Sequence, residues 1–139
     1  MTYKDTVGCP QWVGWPPAAW GNWVDWVDWT PPPSHLIIYV SAPYSLGDQI
    51  DNVRFACEVG DKILAKGHIP FIPHLSHLWH FVSPKSYDEW LRIDKAFVPR
   101  CDALLRVGGE SKGADLEVEF AKDNHIRVYY SLEEIRNVS

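Results

Sequence analysis

The sequence predicts an α/β fold in which a parallel β-sheet lies between two layers of helices. Two observations predict it. The chain has 139 residues, the length of one domain, and its hydrophobic fraction of 46% and charged fraction of 22% are ordinary for a globular protein. From residue 36 onwards, short apolar runs alternate with segments of helical periodicity. Alternating strands and helices predict parallel β-α-β units with right-handed crossovers.

The first half of this domain is predicted to contain two strands and one helix. Residues 36–40 are a continuous apolar run, which is typical of a buried strand. Residues 48–66 carry apolar side chains at helical spacing, and Gly67 follows them as a C-cap. Residues 69–73 predict a short strand, whose prolines favour the edge of the sheet. Residues 74–85 are expected to form a loop.

The second half continues the alternation. Ser86 and Glu89 form a capping box, which predicts a helix from there to about residue 98. A strand, a helix, a strand and a last helical turn or two are predicted at residues 103–107, 111–124, 126–130 and 132–137. These elements predict a flavodoxin-like three-layer sandwich with strand order 2-1-3-4, over residues 36–139.

The fold also predicts where a ligand binds. In such a sheet the ligand lies beyond the carboxyl ends of strands one and three, where the direction of winding reverses. Here those ends are Ser41-Ala-Pro-Tyr44 and residues 108–113. We therefore expect these two segments to border the site.

Residues 1–35 have a different composition and are interpreted as an extended Trp/Pro-rich arm. Six of the eight tryptophans lie before residue 30, and four of them follow a spacing of three from Trp20 to Trp29. That spacing fits a polyproline II or 3₁₀ period better than an α-helix, and three consecutive prolines follow. We expect the indoles to pack on the body or on a neighbouring subunit, and so to favour a homo-oligomer. An aromatic platform for a sugar or base and an aggregation-prone tail are the alternatives.

Charge and cysteine content restrict the partners. The net charge is −5, so we expect no nucleic acid polymer as a partner. The uncharged run over residues 6–24 is interrupted by Pro10, Pro16 and Pro17, so we expect no membrane span. The three cysteines are widely spaced and odd in number, which favours a cytoplasmic setting without a disulfide framework.

Two acidic residues lie on helix faces that are otherwise apolar. Glu117 shares its face with Phe120, and Asp94 shares its face with Trp90 and Leu91. A carboxylate on a buried face costs free energy unless it is paired or used. Two such groups in a partly apolar site favour glycosidic-bond chemistry, with one as nucleophile and the other orienting a group or shuttling a proton. The alternative is two structural acids bonded to backbone amides or to Arg92, Arg100 or Arg106.

Two further patterns bear on ligands. Ser111 stands at the start of a helix, where free N–H groups attract anions, so it either caps the helix or binds a phosphate.

His74, His77 and His80 are three residues apart, a spacing that spreads ligands around a helix. A loop that lines a pocket, with a histidine and Trp79 stacking on a ligand, is therefore favoured over a metal site. A metal hydrolase using these histidines is the alternative. We expect no metal or redox cofactor.

Several short motifs occur together in a particular order. They are Tyr39-Val-Ser-Ala-Pro-Tyr44, Asn52, Gly67-x-x-Pro70-x-x-Pro73-His74, Cys101-Asp-Ala103 and Ser111-Lys-Gly-Ala-Asp-Leu-Glu117. In their order and spacing they resemble the nucleoside 2-deoxyribosyltransferase-like superfamily, over residues 36–131, and look closest to a small bacterial and phage branch. The last motif is also similar to that of 2'-deoxynucleoside 5'-monophosphate N-glycosidases.

The resemblance implies roles for individual residues. In that superfamily a helix glutamate, matched by Glu117, attacks C1' of the (deoxy)ribose, and an aspartate, matched by Asp94, assists. In the monophosphate-cleaving branch a serine, matched by Ser111, binds the 5'-phosphate. Transferases more often have Asp-x-Gly-Thr where this chain has Ser-Lys-Gly-Ala, which favours hydrolysis of a nucleotide.

We therefore expect an N-glycosidase, or a related (deoxy)ribosyltransferase, that acts on a small-molecule nucleotide or nucleoside. The residues expected to bind the substrate are Ser41, Pro43, Tyr44, His74, Ser111 and Gly113. The alternative is a non-catalytic nucleotide-binding or self-assembling protein with the same fold, in which the arm drives oligomerisation.

Overall fold

The computed structural model describes residues 35–138. Residues 1–34 of the predicted arm, which include its six tryptophans, lie outside the described residues, as does the homo-oligomer contact assigned to the arm. None of the helices within residues 35–138 is long and apolar enough to cross a membrane.

The predicted three-layer α/β architecture is confirmed. The described part of the chain has four strands and four α-helices, in the order β1 (Ile37–Ser41), α1 (Gln49–Ala65), β2 (Ile69–Phe71), α2 (His77–Val82), α3 (Tyr87–Phe97), β3 (Ala103–Arg106), α4 (Lys112–Asp123) and β4 (Arg127–Tyr129). Three 3₁₀ turns lie at Pro73–Ser76, Val98–Arg100 and Leu132–Glu134. All strand pairs are parallel, and the strand order β2-β1-β3-β4 is the one predicted.

Strand β1 lies inside the sheet and is covered on both faces, which explains its continuous apolar sequence. Because side chains alternate along a strand, Ile38 and Val40 pack towards α1, whereas Tyr39 packs with Leu104 and Val118 on the opposite face. All three β1 side chains from 38 to 40 are fully buried. The alternation also places Ser41 on the same face as Tyr39, towards α4.

The predicted helix ends are confirmed where capping residues mark them. Asp48 caps α1 by accepting from the backbone N–H groups of Ile50 and Asp51, and the capping box of Ser86 and Glu89 begins α3. Gly67 follows α1 with a φ of +88°, the left-handed conformation that favours glycine.

The prediction of a loop over residues 74–85 is wrong, because a 3₁₀ turn and helix α2 occupy most of that segment. The apolar residues of α2 do not form a buried stripe: Leu78, Phe81 and Val82 are 74%, 78% and 82% exposed. The sequence of this segment therefore lacks the periodic apolar residues that indicate a helix packed on a hydrophobic core.

The loops that follow β1 and β3 approach each other closely at a glycine. Gly108 has a φ of +85°, and a Cβ atom there would lie 2.6 Å from Cδ of Pro43. The neighbouring Gly109 has no other atom within 4 Å of the corresponding position. The absence of a side chain at residue 108 therefore allows the two loops to meet at the carboxyl edge of the sheet.

We expect Gly108→Ala to lower the free energy of unfolding by about 1–3 kcal/mol, because it combines a left-handed backbone with a clash against Pro43. Gly109→Ala is the matched control and should change it by less than about 1 kcal/mol. Urea denaturation of both variants measures the difference. Equal stabilities would contradict the close approach of the loops.

Candidate functional site

A cavity of about 930 Å³ opens at the carboxyl edge of the sheet. Its walls come from the loops after β1 and β3, from residues 73–94, and from the first turns of α4. Of the predicted site residues, six line it: Tyr44, His74, Asp94, Ser111, Gly113 and Glu117. The cavity therefore lies beside residues 41–44 and 108–113, the two segments that were predicted to border the ligand.

Glu117 is a buried carboxylate held by two hydroxyl groups. The Tyr39 hydroxyl donates to Oε1 at 2.9 Å, and the Ser41 hydroxyl donates to Oε2 at 2.6 Å. Glu117 is only 8% exposed, yet it forms part of the cavity wall. Donors from the central strand therefore fix both of its oxygens, and the carboxylate is oriented before any ligand binds.

The environment of Glu117 affects its proton affinity in opposite directions. Burial raises its pKa to about 7, and the nearby charge of Asp94 raises it as well, whereas the bonds from Ser41 and Tyr39 lower it. Burial is the largest of these effects. Burial also raises the pKa of Tyr39 well above its usual value, with the charge of Glu117 as the second cause, so this phenol keeps its proton and donates.

Asp94 faces the same cavity from α3 but has a different environment. Burial raises the pKa of its half-buried carboxyl to about 6. Within residues 35–138 no backbone or side-chain group donates a hydrogen bond to it, whereas Glu117 receives two. The cavity thus contains one carboxyl that is fixed in place and one that is available for an exchangeable proton.

The alternative in which arginines neutralise the two acids is not found among the described residues. Arg106 pairs with Asp115 at 3.2 Å and also donates to the carbonyls of Val107 and Gly109. Its charge lowers the pKa of Glu117, but less than burial raises it.

The three regularly spaced histidines have separate partners. The ring of His74 donates from Nε2 to the Pro43 carbonyl at 3.1 Å, His77 binds the Tyr44 hydroxyl through Nδ1, and His80 accepts through Nδ1 from Trp90. No group of three metal-ligating side chains occurs in residues 35–138. Burial lowers the pKa of His74, which favours its neutral form.

The first turn of α4 forms part of the cavity wall. Ser111 caps the helix, since its hydroxyl accepts from the Ala114 backbone N–H at 3.2 Å. Gly113 follows on the wall, and a Cβ atom there would make only an ordinary 3.5 Å contact with the Tyr87 hydroxyl. Both predicted residues therefore border the cavity beside the exposed N–H groups of a helix start.

A family model described as "Domain of unknown function (DUF7768)" matches residues 36–131. The chain belongs to this family. No curated protein matches the chain. The matched residues of the DUF7768 domain include all the strands of the sheet and every predicted site residue.

Two predicted substrate-binding residues of the DUF7768 domain do not line the cavity. Ser41 is fully buried behind Glu117, and Pro43 supplies the carbonyl that accepts from His74. Ser41 holds Glu117 and Pro43 holds His74, and these two partners do line the cavity.

Sequence reasoning missed Tyr39 as a partner of Glu117, although its position two residues before Ser41 places it on the same face of β1. Of the segment predicted as a loop that lines a pocket, His80 and Lys85 do line the cavity, whereas Trp79 does not. Tyr87 and Trp90 of the following helix also line it and were not predicted.

The raised pKa of Glu117 predicts a particular dependence of stability on pH. Between the unfolded value of 4.5 and the folded value of about 7, the folded state binds this proton and the unfolded state does not. Stability therefore falls as the pH rises through this window. Relative to Glu117→Gln, the wild type should lose roughly 3 kcal/mol of unfolding free energy between pH 4.5 and 8. Denaturation at a series of pH values tests this, and parallel profiles of the two proteins would contradict it.

Proposed function

We propose that this protein cleaves the N-glycosidic bond of a (deoxy)nucleoside 5'-monophosphate. The observation that carries the proposal is the buried Glu117 carboxylate, fixed by Tyr39 and Ser41 on the wall of a 930 Å³ cavity that also contains the Asp94 carboxyl. Two carboxyl groups beside a partly apolar cavity are the groups that glycosidic-bond cleavage requires. The resemblance of the Ser111–Glu117 motif to that of nucleotide N-glycosidases supports the same reaction.

In the proposed reaction, a Glu117 oxygen attacks C1' of the sugar. A C–O ester bond forms as the C1'–N bond breaks, and the electron pair of that bond goes to the leaving nitrogen of the base. Asp94, whose carboxyl is partly protonated near neutral pH, gives its proton to the base. Water then attacks C1' and loses a proton to Asp94 as the C1'–O bond to Glu117 breaks. The electron pair of that bond returns to the Glu117 carboxylate, and the sugar phosphate leaves.

The start of α4 suits the 5'-phosphate of such a substrate. The Ser111 oxygen accepts from Ala114, so its own O–H is available to donate to a phosphate oxygen. The helix dipole and the Lys112 side chain on the cavity wall favour an anion there. Asp115, the acidic residue in the first turn, is paired with Arg106, which weakens its repulsion of an anion.

We expect Glu117→Gln to lower the rate of base release by roughly a thousandfold or more, about 4 kcal/mol in barrier height, since the amide cannot act as the nucleophile. Glu119→Gln, an exposed position on the same helix, is the matched control and should retain wild-type turnover. Chromatography of free base released from each nucleoside 5'-monophosphate measures the effect. Wild-type turnover by Glu117→Gln would exclude the proposed nucleophile.

A second prediction concerns the phosphate. Monophosphates should exceed the matching nucleosides in kcat/KM, and Ser111→Ala should reduce this preference by about 1–3 kcal/mol, the strength of a hydrogen bond to a charged group. Because the substitution also removes a helix cap, Ser86→Ala serves as the control: it removes the cap of α3, and Ser86 does not line the cavity. Equal kcat/KM values of the wild type for nucleosides and for their monophosphates would refute the role of Ser111.

A further inference from the structure

One cluster on the cavity wall has no part in the reaction described above. It consists of His80, Lys85 and Trp90, which all line the cavity, and of Trp79, which packs on them. The two indoles meet edge to face with ring centres 5.3 Å apart, and the His80 ring lies 5.7 Å from the Trp90 ring. The cluster joins α2 to the start of α3, so two elements support each of its members.

The hydrogen bonds of His80 determine which ring nitrogen carries the proton. Nδ1 accepts from the Trp90 indole N–H at 2.8 Å and from the Lys85 backbone N–H at 3.2 Å. A nitrogen that accepts hydrogen bonds has no proton, so in the neutral ring the proton is on Nε2. No group within residues 35–138 forms a hydrogen bond with Nε2. His80 therefore offers one free N–H donor with a fixed ring orientation.

Lys85 adds a positive charge to the same wall. Its ammonium group lies 4.3 Å from the centre of the Trp79 ring and 5.8 Å from that of Trp90, and it donates to the carbonyl and hydroxyl oxygens of Ser83 at 3.0 and 3.2 Å. These contacts use two of its three N–H groups. No carboxylate in the described part of the chain forms an ion pair with it. The cation is thus held in place and has one donor left.

We propose that His80 Nε2 and Lys85 Nζ form a two-donor subsite that binds a negatively polarised oxygen of the substrate. Both border the Trp90 ring, and neither has an acceptor for its remaining N–H among the described residues. An oxygen that accepts from an ammonium and an imidazole N–H is a phosphate oxygen or a base carbonyl oxygen. The inference rests on the proposed nucleotide substrate, which contains both kinds of oxygen, and it makes His80 and Lys85 specificity-determining residues.

The test measures binding rather than turnover. The full chain carrying Glu117→Gln keeps the ligands intact, and calorimetry gives the Kd of 2'-deoxyguanosine, 2'-deoxyadenosine and their 5'-monophosphates. Lys85→Gln and His80→Phe are then added separately in this background. The matched control is Lys122→Gln, since Lys122 also lies over an aromatic ring, 5.9 Å from that of Tyr130, but does not line the cavity. Circular dichroism checks the fold of each variant.

The two sources of the oxygen give different patterns. If the subsite binds phosphate, Lys85→Gln and His80→Phe weaken both monophosphates by about ten- to a hundredfold and leave the nucleosides unchanged. If it binds a base carbonyl, both guanine compounds weaken by that factor, and the adenine compounds, which have no base carbonyl, do not. Equal affinities in variants and parent, an equal loss in Lys122→Gln, or no binding of any of the four compounds overturns the inference.

A second measurement does not depend on the stability of the variants. The ¹⁵N spectrum of histidine side chains should show that Nε2 of His80 is protonated, with the His80 signals assigned by comparison with the His80→Phe spectrum. This Nε2 signal should shift when a compound that binds in the calorimetry is added. An unprotonated Nε2, or a signal that a bound compound leaves unchanged, would overturn the inference. The two proposals can fail separately. If one of the two patterns of Kd changes is observed but the wild type releases no base, the proposed reaction is wrong and the subsite is supported. If base is released but neither pattern is observed, only the subsite is wrong.

Discussion

The site depends on one buried carboxylate and the two hydroxyl groups that hold it. A carboxylate as buried as Glu117 is stable in the fold only when hydrogen bonds replace its lost water, and Tyr39 and Ser41 provide them. Both donors belong to β1 and lie on its α4 face because strand side chains alternate. Such a site requires β1 to be an interior strand with α4 packed against it, which is the arrangement that strand order β2-β1-β3-β4 produces.

The same strand edge also determines the shape of the cavity. The chain after β1 reaches Pro43, whose carbonyl accepts from His74 and whose ring packs at Gly108 of the loop after β3. One short loop therefore joins the 3₁₀ turn after β2 to the loop that leads into α4. Glu117 and His74 come from distant parts of the sequence, and these backbone contacts hold their supporting elements at a common wall.

The sequence predicted the fold and the two acids because each leaves a local signal. The apolar run of β1, the capping box at Ser86 and the glycine after α1 mark element types and ends, and the prolines of β2 marked it as an edge strand. Glu117 was conspicuous as a charge on an apolar helix face. Helix α2 left no such signal, because its apolar side chains are exposed.

The sequence indicated that the segment containing His80 lines a pocket, but it did not indicate the contacts of the cluster around His80. Its hydrogen bonds join His80 of α2 to Trp90 of α3, ten positions away, and to Lys85 between the two helices, five positions away. Regular spacing does not reveal such contacts. The three-residue spacing of the histidines left a metal site only as the alternative to a pocket-lining loop, and each ring has its own partner. Spacing within one element predicts which side chains share a face; it does not predict which atoms meet across elements.

The two carboxyls of the cavity have environments that separate their roles in the proposed reaction. Before the substrate binds, burial raises the pKa of both carboxyls, to about 7 for Glu117 and to about 6 for Asp94, and the charge of Asp94 also raises the pKa of Glu117. Two interacting acids lose their protons as a pair. In the proposed reaction, positive charge develops at C1' in an oxocarbenium-like transition state, and this charge favours the ionised form of the carboxyl nearest to C1'. Glu117 already has two donors oriented towards its anionic form, whereas Asp94 has none, so the arrangement favours ionised Glu117 and protonated Asp94 at the moment of bond cleavage.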